Sequence, residues 1–498
     1  VRAKARSLIG RDTRLQHRMK VAIIGAYGSA GVAVAEGLLD AETEEEFELL
    51  LFDDGEPGGG LCILRGCMPS KEVLSAAAHR YQARGEERLT GEPHELDLDA
   101  VVDTKDEHIH SFAEHRRSAV HEMAERENVE FVHDTARVVE DGVVEAGGKE
   151  YEVDRVVVAT GSSVNVPDLP GMDEVEYMTS ADVLDARSFG DSGVVMGFGT
   201  TGMEMVPYLA EAGVDLTVIE HDAAPLDYAD DEFGHELLEL YRDEFGVEVL
   251  THTYEQGVEP TEDGGVRLHV EVGDESESGI GSDEFYQGEE HVIEADDLYL
   301  FTGRKPNVEG LGLENAGVEP GRGWVDETLR VHDNPRFYAV GDVNSKEPVL
   351  HIAKQEGYHT AENIVAETEG RRPRRFEFLK HRVTFTGLGV YPFARLGMTE
   401  DEACEHGIEH VTATRRAEND GVFKTKDVPH GMAKLVVGTD GSVLGYQALH
   451  YHADAMAKTM QVIMELDLDV RDLPDRAYHP TTPEILDGLF RETADKIE

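Results

Sequence analysis

The 498-residue chain predicts an α/β fold with two Rossmann-like dinucleotide-binding units and a C-terminal α+β domain, on three observations. A glycine-rich turn stands between an apolar strand and a helix in "KVAIIGAYGSAGVAVAEGLL" (20–39), and the next strand, "FELLLFDD" (47–54), ends in acids. The same order returns in "SGVVMGFGTTGMEMVPYLAEAGVDLTVIEHD" (192–222). From about residue 376 the pattern changes to strands followed by helices, which suits an α+β domain better than a third unit of that kind.

In the first unit the glycines Gly25, Gly28 and Gly31 are spaced G-x2-G-x2-G, which reads as a one-residue insertion at Tyr27. Such a turn seats a pyrophosphate on the N-terminus of its helix, and an acid closing the second strand takes the ribose hydroxyls. Here that acid is Asp53 by the strand end, or Asp54 by its spacing to Cys62. The second unit carries a strict G-x-G-x-x-G at Gly197, Gly199 and Gly202, with Glu220 closing its next strand eighteen residues later. Two such patterns about 170 residues apart imply two nucleotides held by two domains.

Shorter signals follow. "VVVATGSS" (156–163) is a buried strand running into a Thr160-Gly161 turn, and "FYAVGDV" (337–343) closes on Gly341-Asp342. "VVGTDGSVLGYQAL" reads as a β-hairpin with Asp-Gly at its turn, followed by helical "ADAMAKTMQVIMELDL". The acidic, Gly/Ser-rich insert "GDESESGIGSDEFYQGEE" (273–290) reads as a surface loop without chemistry.

Composition narrows the partners. With 102 Asp+Glu against 46 Lys+Arg, the formal net charge of −56 repels nucleic acid and anionic membranes. The acids run through nearly every polar segment, a strongly hydrated surface suited to concentrated salt, which points to the cytoplasm of a halophilic host. No apolar run approaches the ~20 residues of a membrane span. Residues 1–18 are basic and lack the ~7–15-residue apolar core of a secretory signal. They are expected to be a non-native or disordered extension, with the true start at Met19.

Two of only three cysteines sit in "GGGLCILRGCMPSK" (58–71), as Cys62 and Cys67. A structural disulfide, half of a metal site and a catalytic redox pair compete as explanations. A reducing cytoplasm disfavours a permanent bridge, and C-x4-C is not the usual zinc clip, so the redox pair leads. Five residues of regular helix rise ~7.5 Å, whereas bridged Cα atoms lie ~4.4–6.8 Å apart. A bridge therefore needs a distorted turn, which Gly66 is placed to permit.

Taken together, these residues resemble the class I flavoprotein (pyridine nucleotide) disulfide oxidoreductases, over essentially the whole chain after Met19. The family's G-G-x-C-x4-G-C-x-P-S-K is matched by "GGLCILRGCMPSK", although Leu61 stands where threonine is usual. "HPTTPE" (479–484) matches its H-P-T-x-x-E, and "HIAKQEG" (351–357) is most similar to dihydrolipoamide dehydrogenases. Mercuric reductases carry a C-terminal cysteine pair, and no cysteine follows Cys404 here. Where the family usually has P-E, this chain has "YPFARLG" (391–397).

The resemblance implies an FAD-binding domain over 19–165 and 296–372, an NAD-binding domain over 166–295, and a dimerisation domain over 376–498. It implies FAD contacts from Gly25, Gly28, Gly31, Asp53, Asp54, Gly59, Gly60, Lys71, Thr160, Gly161, Gly341, Asp342 and Ala353. NAD contacts would come from Gly197, Gly199, Gly202, Glu220 and Gly303, with NADP a poorer fit. Cys67 would be the flavin-side thiolate and Cys62 the interchange thiol, with Lys71 paired to Glu204. His479, oriented by Glu484, would serve the cysteines of the other subunit of a homodimer. The implied reaction oxidises dihydrolipoamide, free or on a lipoyl carrier domain, with NAD⁺; reduction of a small disulfide such as bis-γ-glutamylcystine is the alternative. A redox-sensing flavoprotein without turnover would not need both His479 and Glu484. No metal is implied.

Overall fold

Residues 18–44, 46–91, 93–273 and 290–497 are described by the computed structural model. Nearly all of the basic extension (1–17) and of the acidic insert (274–289) lie outside the described residues. The chain divides into two compact units. The first draws on the described residues of Val1–Cys62, Ser111–Ser163 and Lys305–Glu377; the second on those of Ile63–His110, Val164–Arg304 and Phe378–Glu498.

The first unit is built on a five-stranded parallel sheet. Its strands lie in the order Phe337–Ala339, Arg155–Val158, Met19–Ile24, Phe47–Asp53 and Val129–His133. The central strand is buried on both faces, with Val21, Ala22 and Ile23 at zero exposure, as a parallel sheet covered on both sides requires. One face packs under the helices Ser29–Leu39 and Leu350–Thr368 through Val32, Ala35, Ala361 and Ile364. The other packs on an antiparallel layer, Ala136–Glu140, Val143–Ala146 and Lys149–Glu152, through Val138, Val144, Tyr151 and Trp324.

The second unit repeats this plan and adds to it. Parallel strands lie in the order Glu248–Leu250, Asp215–Ile219, Ser192–Met196, Asp297–Leu300 and Met178–Thr179. An antiparallel layer, Thr253–Pro260, Val266–Val272 and Glu290–Ala295, accompanies them. The chain then forms a five-stranded antiparallel sheet ordered His381–Thr384, Phe393–Gly397, Val443–His450, Gly431–Gly438 and His410–Arg416. The expected hairpin is its 431–450 pair: Asp440 and Gly441 form the turn, with Gly441 at φ 99° and Asp440 accepting from the Ser442 N–H at 3.0 Å. Helices Ala453–Glu465 and Glu484–Ile497 follow, and one core joins the parallel sheet's helices to this terminal sheet through Tyr208, Tyr241, Phe393 and Tyr446. Among the described residues no helix is long and apolar enough to cross a membrane.

Candidate active site

Each glycine turn is closed by the same steric lock. A Cβ on Gly31 would lie 2.3 Å from the Gly25 carbonyl oxygen, and one on Gly202 would lie 2.4 Å from that of Gly197. Gly25 and Gly197 hold φ of 99° and 93°, open to glycine at no steric cost. The helices start at Ser29 and Thr200, behind Gly28 and Gly199, and neither first turn has a side-chain cap or an acid. Uncapped N–H groups at a helix start, approached through positions where no side chain fits, form a cradle suited to a phosphate. The first turn holds one residue more than the second between its opening glycine and its helix, and that residue is accommodated at Tyr27.

Of the two candidate ribose acids, Asp53 faces the turn: its carboxylate accepts from the backbone N–H of Tyr27 and of Gly55, each at 2.9 Å. Burial raises its pKa against the pull of those hydrogen bonds. Asp54 is exposed and accepts from Thr135 Oγ1 at 2.7 Å. Gly59 is buried and Gly60 passes close over the turn, where a Cβ would meet Gly28 Cα at 3.1 Å. In the second unit Glu220 follows its strand directly and accepts from the Asp222 N–H at 3.0 Å, with burial raising its pKa. Gly303, at φ 84°, accepts from the Asn165 N–H at 3.0 Å.

Two turns at strand ends in the first unit are tied to one another. Thr160 donates to the Asn307 carbonyl at 2.6 Å, Asn307 donates back to Thr160 at 3.0 Å, and its N–H reaches the Gly161 carbonyl at 3.0 Å. Ser162 donates to Asp342 at 2.6 Å. Behind Gly341 and beside the buried Ala353 lies Glu356, 1% exposed, accepting from the Gly341 N–H at 2.6 Å and from Asn344 Nδ2 at 2.8 Å. Both hydrogen bonds favour the carboxylate, but burial outweighs them and pushes its pKa up to about 7.

That shift sets a pH dependence. The unfolded chain ionises near the ordinary glutamate value of 4.5, the folded one near 7, so stability present below 4.5 is lost as pH rises through about 7. Glu356→Gln keeps an acceptor for both donors and removes the titration. Its melting temperature should gain on wild type between pH 5 and 8, by an amount equivalent to about 1–3 kcal/mol. A constant difference across that range would overturn this account.

The cysteine segment is broken as expected. A short helix, Leu61–Leu64, holds half-buried Cys62; Gly66, at φ −126° and ψ −121°, interrupts it; and exposed Cys67 opens the helix Cys67–Gly85. One turn on, Lys71 Nζ meets Glu204 Oε2 at 2.6 Å and Ser70 Oγ at 3.1 Å. Glu204, largely buried, spends its other oxygen on the Phe385 N–H at 3.0 Å, and Lys71 Nζ stands 4.5 Å from the Phe385 ring centroid. The pair is therefore fixed from three segments. Phe385 was not anticipated from the sequence.

Near the C-terminus His479 Nδ1 lies 3.1 Å from both carboxylate oxygens of Glu484, which also accepts from the Thr481 N–H at 2.9 Å. The bond from His479, then that from Thr481, lowers the Glu484 pKa, so it is ionised at neutral pH. The ring is exposed, with 79% of its side chain accessible. His452 Nδ1, 3.1 Å from Thr482 Oγ1, ties the same loop to the start of helix Ala453–Glu465; this residue too was missed. The structure thus brings together Lys71 with Glu204, His479 with Glu484, and the glycines of each turn. Cys404 stands apart, exposed, with Sγ 4.0 Å from His410 Nε2.

Comparison with known proteins agrees with this architecture. Residues 19–364 match the family model described as pyridine nucleotide-disulphide oxidoreductase, and residues 382–489 match the dimerisation domain of the same family. The chain is 30% identical to a mercuric reductase of Streptomyces lividans over 85% of this chain and 86% of that one. A mercuric reductase of Bacillus cereus is also 30% identical, over 74% of this chain but only 56% of that longer protein. A dihydrolipoyl dehydrogenase of Bacillus subtilis is 27% identical over 86% and 87% of the two chains. Among solved structures, a Cu(II) complex of the HOCl-induced flavoprotein disulfide reductase RclA from Escherichia coli shares the fold. It superposes with a TM-score of 0.77 at 21% identity, over 95% of this chain and 99% of that one.

Proposed function

Since this chain belongs to the pyridine nucleotide-disulphide oxidoreductase family, enzymes that use FAD and a pyridine nucleotide, we propose that it exchanges electrons between NAD(H) and a dithiol–disulfide couple through Cys62 and Cys67. The observation that supports this most is the Lys71–Glu204 pair, placed one helical turn beyond Cys67. On this reading FAD is held by 19–165 and 296–372, NAD by 166–295, and the 376–498 domain makes a homodimer in a halophile's cytoplasm. The dinucleotide contacts are the glycines and acids named above, with Asp53 rather than Asp54 on the FAD ribose.

FAD, held by the glycine turn and acids of the first unit, would supply two-electron transfer between the nicotinamide and the cysteine pair. The chain's own residues do the thiol chemistry. With Nδ1 bonded to ionised Glu484, His479 presents Nε2 as its proton-exchanging nitrogen. It takes the proton from one thiol of dihydrolipoamide; that sulfur attacks Cys62 of the Cys62–Cys67 disulfide, and Cys67 leaves as a thiolate. The second substrate thiol then attacks the first substrate sulfur, passing its proton to the displaced Cys62 sulfur and closing the lipoamide disulfide. Two electrons have moved from substrate to the cysteine pair. Lys71, fixed by Glu204, would supply positive charge to the flavin ring.

A second reading, reduction of a small disulfide such as bis-γ-glutamylcystine, is favoured by the altered 391–397 segment. There Tyr391 is buried edge-on to Tyr81 and His430 instead of the usual P-E contacts. Steady-state kinetics in molar KCl separates the readings, comparing dihydrolipoamide with NAD⁺ against bis-γ-glutamylcystine, glutathione disulfide and Hg(II), each with NADH and NADPH. Dihydrolipoamide should reach kcat/KM of ~10⁴–10⁸ M⁻¹s⁻¹ and lead the others. A γ-glutamyl disulfide ahead by tenfold would replace the substrate, and Hg(II) as the fastest substrate would overturn the dithiol reading. Glu220 should favour NADH over NADPH by about one to two orders of magnitude, through repulsion of the 2′-phosphate, and salt should narrow the gap.

A further inference from the structure

The inserted Tyr27 is held by His121 and Arg116 of the helix Leu98–Ala124, which no step above uses. Tyr27 is 4% exposed; its hydroxyl meets His121 Nε2 at 2.8 Å and its ring centroid lies 5.2 Å from that of Phe131. The glycine loop covers it so closely that a Cβ on Gly58 would fall 2.2 Å from the ring. Arg117 Nη1 donates to the Gly58 carbonyl at 3.2 Å. Arg116 Nη1 donates to the Tyr27 carbonyl at 3.3 Å and reaches Ser29 Oγ, in the first turn of the helix, at 3.4 Å.

An extra residue in a phosphate-binding turn is electrostatically adverse. The turn works by aiming N–H dipoles at the anion, and one more peptide adds a carbonyl whose negative end raises the cost of bringing phosphate near. Arg116 bonds to that carbonyl and puts a positive charge where the insertion put a negative one. Arg80, Arg84, Arg155 and Arg330 are tied to carboxylates, in a chain where acids outnumber bases more than twofold. Among the described residues neither Arg116 nor Arg117 forms an ion pair with a carboxylate. The hydrogen bonds of Arg116 run through Nη1 to neutral oxygens, so among the described residues no carboxylate neutralises its charge.

We propose that Arg116 contacts the pyrophosphate of FAD, recruited by the Tyr27 insertion, and that Tyr27, locked by His121 and Phe131, holds the turn open for it. The inference rests on the reading of this first glycine turn as the FAD site. It is tested by FAD affinity, not turnover. Deflavinated protein is titrated with FAD, followed by flavin fluorescence quenching at several KCl concentrations, for wild type, Arg116→Gln, Arg116→Lys and Gly31→Val, with far-UV circular dichroism to establish folding.

Arg116→Gln should weaken FAD tenfold or more at the lowest salt at which wild type stays folded. It should also flatten the dependence of affinity on salt, because the screened contact is gone. Arg116→Lys should recover part of both. Deleting Tyr27 removes the added carbonyl, so Arg116→Gln in that background should cost less than in wild type. Affinity within twofold of wild type with an unchanged salt slope in Arg116→Gln would overturn the proposal. If Gly31→Val, whose side chain would enter the Gly25 carbonyl, folds and binds FAD normally, the site assignment itself is wrong. If Gly31→Val loses FAD while Arg116→Gln keeps it, the site stands and only the role of Arg116 falls.

Discussion

Cys62→Ser is expected to lose disulfide turnover by on the order of 10⁴ or more, the scale seen when an enzyme loses its nucleophile. A serine hydroxyl is not ionised near neutral pH and cannot replace a thiolate in an exchange that forms a sulfur–sulfur bond. The two cysteines should differ. Cys67 opens the helix Cys67–Gly85, where the N-terminal dipole favours a thiolate, whereas Cys62 lies on the short helix before the Gly66 break. The Cys62→Ser protein should therefore keep a Cys67 thiolate and show long-wavelength thiolate-to-flavin absorbance as purified. Cys67→Ser should lose both absorbance and turnover. Cys404→Ser, on an exposed residue of the terminal domain, should match wild type in both. Turnover surviving in the Cys62/Cys67 double variant would end the redox-pair reading.

What could be seen in advance follows from what each feature demands of the chain. The glycine turns were legible because their requirement is steric: any side chain at position 31 or 202 meets a carbonyl within 2.4 Å, so the glycines stand out even across the Tyr27 insertion. The buried strands were legible because sheets covered on both faces need uninterrupted apolar runs. Lys71 and Glu204, 133 residues apart, carry no local signal, and only the family resemblance joined them. Phe385 could not be found this way, since the group that holds Glu204 is a backbone N–H, which every residue but proline owns. Glu356 was visible as an acid inside "HIAKQEG", but its partners belong to the Gly341 turn, which only the fold brings under it. That Asp53 and not Asp54 accepts from the turn likewise depends on the register of the second strand, which leaves one carboxylate at the turn and the other exposed.

His479→Ala should lower turnover by about 10²–10⁴, the usual range for a positioned acid–base group, with a flattened pH profile. Glu484→Gln should cost less, because it leaves the imidazole but removes the charge that orients it. The exposure of His479 makes a sharper test available. In this chain the side chain is 79% accessible, and its tie to Glu484 occupies Nδ1 rather than Nε2. In the proposed homodimer that nitrogen works on the partner's cysteines, so each site is assembled from two chains. A His479→Ala homodimer and a Cys62→Ser homodimer should then both be nearly inactive. A mixed dimer contains one site with both lesions and one with neither. Random reassociation of equal amounts makes about half the dimers mixed, so activity should return to about a quarter of wild type. Recovery must track subunit exchange, followed by native mass spectrometry, and be absent when exchange is prevented. Exchange without recovery would place His479 with the cysteines of its own chain or remove it from catalysis altogether.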